Sequence, residues 1–306
     1  GPYTIIEKAG EGAYGIVWKT QSEKDGNLYA IKEISKQKVT SQLLENLARE
    51  VHICFNMSHE NVVRCHGTLE SKNNYYIIFE YCAGGDLGAY LRRAKRIDVK
   101  VSLYIMKQIR DGYRYLLAQN VLHRDIKLEN ILIKDAGEMS VKISDFGCSK
   151  VDAMGMTICG TPKYMALEVM ESQAHYDYKA DLWAIGLVCW ELLFGLDSFP
   201  FSQKSKEALK ADIKRFSGPS LRFPAFPAYP PAFYDFLRSM LNVSPQLRPD
   251  ADEFFNHAIF GYDGTEADVL ACSNRLHEDA ASALLESNAH LQDSQLILSS
   301  NTSVTE

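Results

Sequence analysis

Two polar segments in the middle of the chain have residue types that suit acid–base and metal chemistry. In His123–Asn130, which apolar residues flank, Asp125 precedes Asn130 at a spacing that suits one general base and one metal ligand. In Ser144–Gly147, Asp145 follows a strand-like run and precedes a flexible glycine, which suits Mg²⁺ held through oxygen ligands. Exposed turn charges are the simpler alternative for the first segment.

A glycine-rich segment and a strand lysine near the N-terminus suit phosphate binding. Gly10, Gly12 and Gly15 follow the pattern G-x-G-x-x-G, and strand-like residues on both sides predict a hairpin turn. Glycines there would let backbone N–H groups approach phosphate oxygens, and a purely structural hairpin is the alternative. Lys32 lies in an apolar strand-like run and needs a counter-charge, for which Glu50 is the candidate. A solvated lysine is the alternative at that position.

The elements that must position these residues change in type along the chain. Strands are predicted first, in the runs Tyr3–Lys8, Gly15–Thr20, Asn27–Ile34 and Tyr75–Tyr81. Apolar residues at helical spacing predict a helix over 41–57, with Glu50 on or beside its packed face. Later helices are predicted over 99–119, 181–195 and 233–241, and a proline-rich loop over 223–231.

The change from strands to helices falls near 83–85 and predicts three parts of the chain. These are an N-terminal lobe (1–82), a C-terminal lobe (83–260) and an acidic tail rich in Ser and Asn (261–306). For the tail, a mobile or loosely docked segment is the first interpretation. An amphipathic helix near 276–285 that packs on the body or binds a partner is the alternative. Inhibition of the body by the tail is a separate hypothesis that this amphipathic stretch suggests.

The composition excludes several classes of protein. The chain has 306 residues, 46% of them hydrophobic and 24% charged, which is ordinary for a globular protein and excludes collagen-like or wholly disordered chains. The net charge is −6, with −7 in the tail and +1 elsewhere, so nucleic-acid binding is not expected. The longest apolar run, Ala184–Leu196, is too short to span a membrane. Seven irregularly spaced cysteines favour a reducing compartment, so an intracellular location, cytoplasmic or nuclear, is expected.

Seven motifs in order make the chain resemble a eukaryotic protein kinase domain from about Tyr3 to Phe260. They are the Gly-rich loop, Ala30-Ile31-Lys32, the helix residue Glu50, His123-Arg124-Asp125, Asp145-Phe146-Gly147, Ala166-Leu167-Glu168 and Asp181-Leu182-Trp183. The resemblance implies an α+β bilobal fold, with an N-lobe of antiparallel sheet plus one helix and a mostly helical C-lobe. It also implies ATP as co-substrate, Mg²⁺ as cofactor and proteins as substrates.

The resemblance assigns roles to individual residues. Asp125 would orient the substrate hydroxyl and accept its proton, Lys127 would steady the γ-phosphate, and Lys32 would bind the α- and β-phosphates and pair with Glu50. Asn130 and Asp145 would hold Mg²⁺. Further residues match the adenine and ribose site, namely Val17, Ala30, Leu132, the gatekeeper Phe79, the hinge residues Glu80 and Cys82, and Asp86.

Two features resemble the serine/threonine class in particular. These are Lys127 in Asp-x-Lys-x-x-Asn and the run Gly160-Thr161-Pro162. Thr157 matches an activating phosphorylation site, with Arg124 and Lys150 at the positions of phosphate partners and an upstream kinase as a possible activator. An exposed loop hydroxyl is the alternative for Thr157. Thr161 would hydrogen-bond the catalytic Asp.

One motif departs from the family pattern, because Leu167 stands where the family has proline. The neighbouring Glu168 matches a residue that pairs with a buried arginine, and Arg248 matches that arginine. Among the groups of the family, the chain most resembles the calmodulin-dependent-kinase-like one.

Three acidic residues, Asp86, Glu129 and Glu191, match positions that some kinases use to bind arginines of the substrate. They predict a modest preference for basic sequences, and ribose contact and surface charge are the alternative. A pseudokinase or scaffold is the main functional alternative. A small-molecule kinase with a related fold is the second.

Overall fold

The computed structural model describes residues 2–12, 15–38, 51, 53–135, 137–146, 150–151, 161–171, 177–225 and 227–262. An antiparallel sheet of strand order β1-β2-β3-β5-β4 forms the N-terminal part. Its strands are β1 (Tyr3–Gly12), β2 (Gly15–Ser22), β3 (Leu28–Ser35), β4 (Cys65–Glu70) and β5 (Asn74–Glu80). Of the predicted helix over 41–57, residues 51 and 53–56 are helical and most of the remainder, with Glu50, lies outside the described residues.

Helices dominate the chain after β5. They are α1 (Leu87–Ala94), α2 (Val99–Ala118), α3 (Leu167–Glu171), α4 (Tyr178–Phe194), α5 (Lys206–Phe216), α6 (Pro231–Met240) and α7 (Ala251–Phe255). Four short strands lie among them, β6 (Val121–Leu122), β7 (Ile131–Asp135), β8 (Ser140–Ile143) and β9 (Lys150–Val151). The α+β fold, with a sheet followed by helices, is confirmed. The boundary at 82/83 stays a prediction.

Strand β4 is one of the elements that the sequence analysis missed, as are the helices α1 and α5. It pairs with β5 alone, and only Cys65 of its six residues is buried. An edge strand that contributes so little to the core does not need alternating apolar residues, so its sequence CHGTLE gives no periodic signal.

Helix α4 is the centre of the C-terminal part. Every residue from Ala180 to Phe194 is buried, including Trp183 and Trp190, in agreement with a segment that is apolar on all sides. The helix packs against α2 and α6. Two carboxylates, Asp181 and Glu191, are carried into this core and are fully buried. None of the helices in the described ranges is long and apolar enough to cross a membrane.

Arg248 joins three distant segments of this core. Its guanidinium is fully buried and donates two hydrogen bonds to Glu168, of 2.7 and 2.9 Å. It also donates to the carbonyl oxygens of Lys179 and Asn242, each at 2.8 Å, and lies over the ring of Trp183. A buried charge of this kind is stable only because all its donors are engaged. The contact fixes α3 against the start of α4.

We expect Arg248→Met to lower the free energy of unfolding by about 3–5 kcal/mol, because it leaves the Glu168 carboxylate without its cation. Arg93→Met is the matched control, since Arg93 is exposed on α1. Denaturant unfolding of both variants measures the difference. Equal midpoints would show that the pair contributes nothing to stability.

Candidate active site

The segment that contains Asp125 is anchored to α4 by the carboxylate of Asp181. One oxygen, Oδ1, accepts a hydrogen bond from Arg124 N at 2.8 Å. The other, Oδ2, accepts from His123 N at 2.9 Å and from the hydroxyl of Tyr113 at 3.1 Å. Because a buried carboxylate is stable only when it is hydrogen-bonded, Asp181 fixes the backbone just before Asp125.

The backbone is strained at two points of the site. Arg124 has φ of +72° and Asp145 has φ of +62°, both in the left-handed region that side chains disfavour. Such conformations cost about 1–3 kcal/mol each and persist only where surrounding contacts enforce them. At Arg124 the hydrogen bond to Asp181 is such a contact.

His123 connects the two polar segments. Its Nε2 atom lies 2.9 Å from the carbonyl oxygen of Ser144, and its ring lies 5.3 Å from that of Phe146. The amide of Ser144 also donates to the carbonyl of Asn130 at 2.8 Å. Asp145 lies between Ser144 and Phe146, so its position is fixed relative to Asp125.

The Asp125 carboxylate accepts hydrogen bonds from three residues. Oδ1 accepts from the amide and hydroxyl of Thr161, at 2.9 and 3.2 Å. Oδ2 accepts from Lys127 Nζ at 2.7 Å and from Asn130 Nδ2 at 3.1 Å. Lys127 also donates to the Thr161 hydroxyl at 2.8 Å, which closes the network. The structure thus brings together four of the predicted site residues.

The residues predicted to bind phosphate and adenine share one face of the sheet. Val17 is opposite Lys32, and Ala30 is opposite Phe79. Residues opposite each other in antiparallel strands point to the same face, as do alternate residues of one strand. Lys32 Nζ lies 3.7 Å from Asp145 Oδ1, which connects this face to the second polar segment. Leu132 lies in β7, where it forms a β-bridge with Asp86.

The glycines of the first motif have different reasons for lacking a side chain. A Cβ atom on Gly15 would lie 1.9 Å from the carbonyl oxygen of Glu33, so close strand packing requires glycine there. A Cβ on Gly10 would meet nothing within 4 Å. Side-chain packing therefore does not require glycine at Gly10, which lies at a shift in the register between β1 and β2. Gly12 lies opposite Gly15 at the end of β1.

Of the two predicted hinge residues, Glu80 is the last residue of β5 and Cys82 follows the strand. Glu80 accepts a hydrogen bond from Arg64 N at 2.8 Å and pairs with Lys142 and Lys134, at 3.0 and 3.2 Å. Burial raises the pKa of Glu80, but the Arg64 amide and the two lysines outweigh it, so the pKa is lowered. Burial raises the pKa of the Cys82 thiol to about 11.

The sequence as a whole is similar to known proteins of one family. The family described as "Protein kinase domain" matches residues 3–260. This chain belongs to that family. Three relatives are "Serine/threonine-protein kinase ATG1c" of Arabidopsis thaliana, "Serine/threonine-protein kinase ULK1" of Homo sapiens and "Aurora kinase" of Schizosaccharomyces pombe. They are 33%, 35% and 34% identical to this chain and cover 84%, 81% and 84% of it.

The chain spans only part of these relatives. The matched region is 35% of the length of the ATG1c relative, 24% of the ULK1 relative and 71% of the Aurora relative. Membership of the protein kinase family is therefore shown for the matched domain. The calmodulin-dependent-kinase-like group remains a prediction.

The regulatory residues predicted for this kinase domain are only partly described. Thr157 and Glu50 lie outside the described residues. Arg124 is buried in front of Asp125. Lys150 belongs to β9, where its backbone pairs with Leu122 of β6.

Each of the three acidic residues predicted to attract substrate arginines has a cation of this chain beside it. Arg92 lies 3.8 Å from Asp86 and 3.4 Å from Glu129. Lys163 pairs with Glu191. The sequence analysis missed both cations because Arg92 is far in the chain from Glu129, as Lys163 is from Glu191, and no local spacing connects either pair. Asp86 also caps α1 by accepting a hydrogen bond from Ala89 N at 2.7 Å. An aspartate just before a helix is a common N-cap, and this pattern is the signal in the sequence that could have indicated a structural role for Asp86.

We expect Asp181→Asn to lower the free energy of unfolding by about 1–3 kcal/mol, because the amide nitrogen would face one of the donors that the carboxylate now satisfies. Amide hydrogen exchange at His123 and Arg124 should accelerate. Asp197→Asn, at an exposed aspartate, is the control. Unchanged exchange at both amides would contradict the anchoring role of Asp181.

Proposed function

We propose that this chain is a serine/threonine protein kinase that transfers the γ-phosphate of ATP to Ser or Thr hydroxyls of proteins. The observation that carries the proposal is the closed network of Asp125, Lys127, Asn130 and Thr161, held on the same frame as Asp145. In phosphoryl transfer the protein supplies mainly alignment and charge neutralisation. This network supplies alignment, and Lys127 and Lys32 supply positive charge.

In the proposed reaction, a bond forms between the substrate hydroxyl oxygen and the γ-phosphorus, and the bond from that phosphorus to the bridging oxygen of ADP breaks. The Asp125 carboxylate orients the hydroxyl and accepts its proton. Thr161 and Lys127 hold that carboxylate in one orientation. Lys127 also lies where it can neutralise charge on the transferred group.

Mg²⁺ is the cofactor that the family implies, and the residues present fit it. Asp145 has a carboxylate that is 48% exposed and lies 3.7 Å from Lys32. Asn130 uses Nδ2 to bond Asp125, which leaves its Oδ1 oxygen as the metal-binding end. Magnesium is commonly bound by one or two carboxylates together with substrate phosphates. When bound, Mg²⁺ would neutralise phosphate charge, and Asp145 and Asn130 would hold it.

The serine/threonine class is supported by Lys127 and by the relatives, which are named as serine/threonine-protein kinases. Lys127 contacts both Asp125 and Thr161, so it belongs to the network itself. The pseudokinase or scaffold alternative gains no support, since Lys32, Asp125 and Asp145 are all present in the site. Protein substrates are favoured over small molecules because Arg248 anchors Glu168, close after the segment that contains Thr161.

Three further proposals concern the setting of the reaction. We propose an intracellular location, cytoplasmic or nuclear, which the free cysteines Cys54, Cys65, Cys82 and Cys189 support. Phosphorylation of Thr157, by an upstream kinase or by this one, would activate the enzyme. Basic residues near the target hydroxyl would be attracted by Asp86 and Glu129, whose side chains are 31% and 43% exposed.

We expect Asp125→Asn to lower Mg²⁺-dependent phosphate transfer from ATP to a Ser/Thr peptide by about 100-fold or more, because the proton acceptor is lost. Radiolabelled transfer measures the rate, and nucleotide binding confirms that the variant is folded. Asp197→Asn is the control at an exposed position. A variant as active as the unmodified chain would exclude the proposed reaction.

We expect the Thr157→Ala variant to transfer phosphate more slowly than the unmodified chain phosphorylated at Thr157. Loss of one charge-assisted hydrogen bond, about 1.5–3 kcal/mol, shifts the population of an ordered segment by about tenfold or more. Mass spectrometry of the same sample shows whether Thr157 is phosphorylated. Ser149→Ala, in the same segment, is the control. A fully active Thr157→Ala enzyme would reject this regulation.

A further inference from the structure

Glu191 is a buried carboxylate with both oxygens occupied by neighbouring residues of one short segment. Its side chain is 0% exposed. Oε1 accepts a hydrogen bond from Lys163 Nζ at 2.5 Å, and Oε2 accepts from the hydroxyl of Tyr164 at 2.6 Å. Burial raises the pKa of Glu191, and Lys163 and Tyr164 counteract the effect.

Glu191 lies beside the place that the proposed reaction assigns to the substrate hydroxyl, because Tyr164, whose hydroxyl it binds, lines one small cavity together with Asp125 and Thr161. The amide of Thr161 contacts Asp125, and Lys163 follows Thr161 by two residues, which span at most about 7 Å. Glu129 is near enough to act electrostatically on both Glu191 and Tyr164. Side chains adjacent to a substrate hydroxyl at Asp125 would therefore lie within reach of this acidic region.

The two cations beside the acidic residues differ in how strongly they are held. Arg92 is 55% exposed and lies 3.4 Å from a half-exposed Glu129, a contact that water and salt weaken. Lys163 is 26% exposed and pairs with a carboxylate that is out of contact with water. Its ammonium also lies 4.5 Å from the centre of the Phe199 ring, which adds a cation–π contact. A substrate arginine could displace Arg92 far more easily than Lys163.

We propose that Lys163 is a specificity-determining residue that occupies Glu191 from within the chain and excludes Arg and Lys side chains of substrates from this carboxylate. The inference rests on the proposed function. A guanidinium binds a carboxylate best through two parallel hydrogen bonds, and both oxygens of Glu191 are already taken. The kinase therefore selects substrates whose basic residues, if present, address Asp86 and Glu129 but not Glu191.

Removing the lysine creates the opposite specificity. In Lys163→Met the Glu191 carboxyl loses its cation, which raises its pKa further, and an arginine of the substrate that reaches it would restore the ionised form and pair with it. A purely structural role for Lys163 predicts a less stable protein with the same ranking of peptides. The ranking of peptides therefore distinguishes the two interpretations.

The test measures how strongly the kinase binds a series of peptides that carry a single arginine at successive positions. Fluorescence anisotropy measures the Kd of Ser peptides in which one arginine replaces norleucine at each position, with the kinase bound to Mg²⁺ and a non-hydrolysable ATP analogue. We expect Lys163→Met to bind one arginine position about tenfold more tightly than the unmodified chain does. Lys163→Arg should keep the original ranking. Lys100→Met removes an exposed lysine and is the charge control.

The double variant Lys163→Met/Glu191→Gln should lose the gain, because the new arginine site is the Glu191 carboxylate. An unchanged ranking in Lys163→Met, or an arginine preference of the unmodified chain that Glu191→Gln removes, overturns the inference. Lys163→Gln is the second variant if Lys163→Met does not fold. Phosphate transfer to the same peptides is measured separately. Binding without transfer contradicts the proposed function and leaves the ranking as the test of Lys163.

Discussion

Asp181 lies in a helix that is buried on every side, so its carboxylate is stable only when its oxygens are hydrogen-bonded. The donors that satisfy it are the amides of His123 and Arg124 and the hydroxyl of Tyr113. The buried Asp181 carboxylate thus holds the backbone just before Asp125. Its hydrogen bonds also stabilise the unfavourable φ at Arg124.

The segment that Asp181 holds is connected to the second polar segment by contacts of His123, Ser144 and Asn130. The ring of His123 contacts the carbonyl of Ser144, and the Ser144 amide bonds the carbonyl of Asn130. The Asp145 carboxylate, which we propose as a ligand of Mg²⁺, is 48% exposed, whereas the Asp181 carboxylate, which holds the backbone, is fully buried. The site therefore combines buried, hydrogen-bonded groups that fix the backbone with more exposed groups to which ligands can bind.

The same helix carries a second buried acid with a different use. Asp181 is satisfied by backbone donors and fixes a loop, whereas Glu191 is satisfied by side chains of residues that follow Thr161. Side-chain donors can be changed by substitution without altering the backbone. For this reason the surroundings of Glu191 can vary in charge while the foundation at Asp181 stays the same.

The sequence by itself determined the type of fold and the family, and it proposed the catalytic groups, four of which the structure brings together. Motifs such as His123-Arg124-Asp125 are local and carry their own chemistry, and α2 and α4 were predicted within a few residues because their apolar patterns are strong. Strand β4 was not predicted, because an edge strand buries too little to impose a pattern.

Only the tertiary structure decided which charges meet. Arg92 faces Asp86 and Glu129, and Lys163 faces Glu191, through contacts that depend on how separate elements pack. The requirement for glycine at Gly15 likewise comes from a carbonyl of the neighbouring strand. Residue type and spacing report what a group can do, whereas its partners are set by long-range packing that no local pattern encodes.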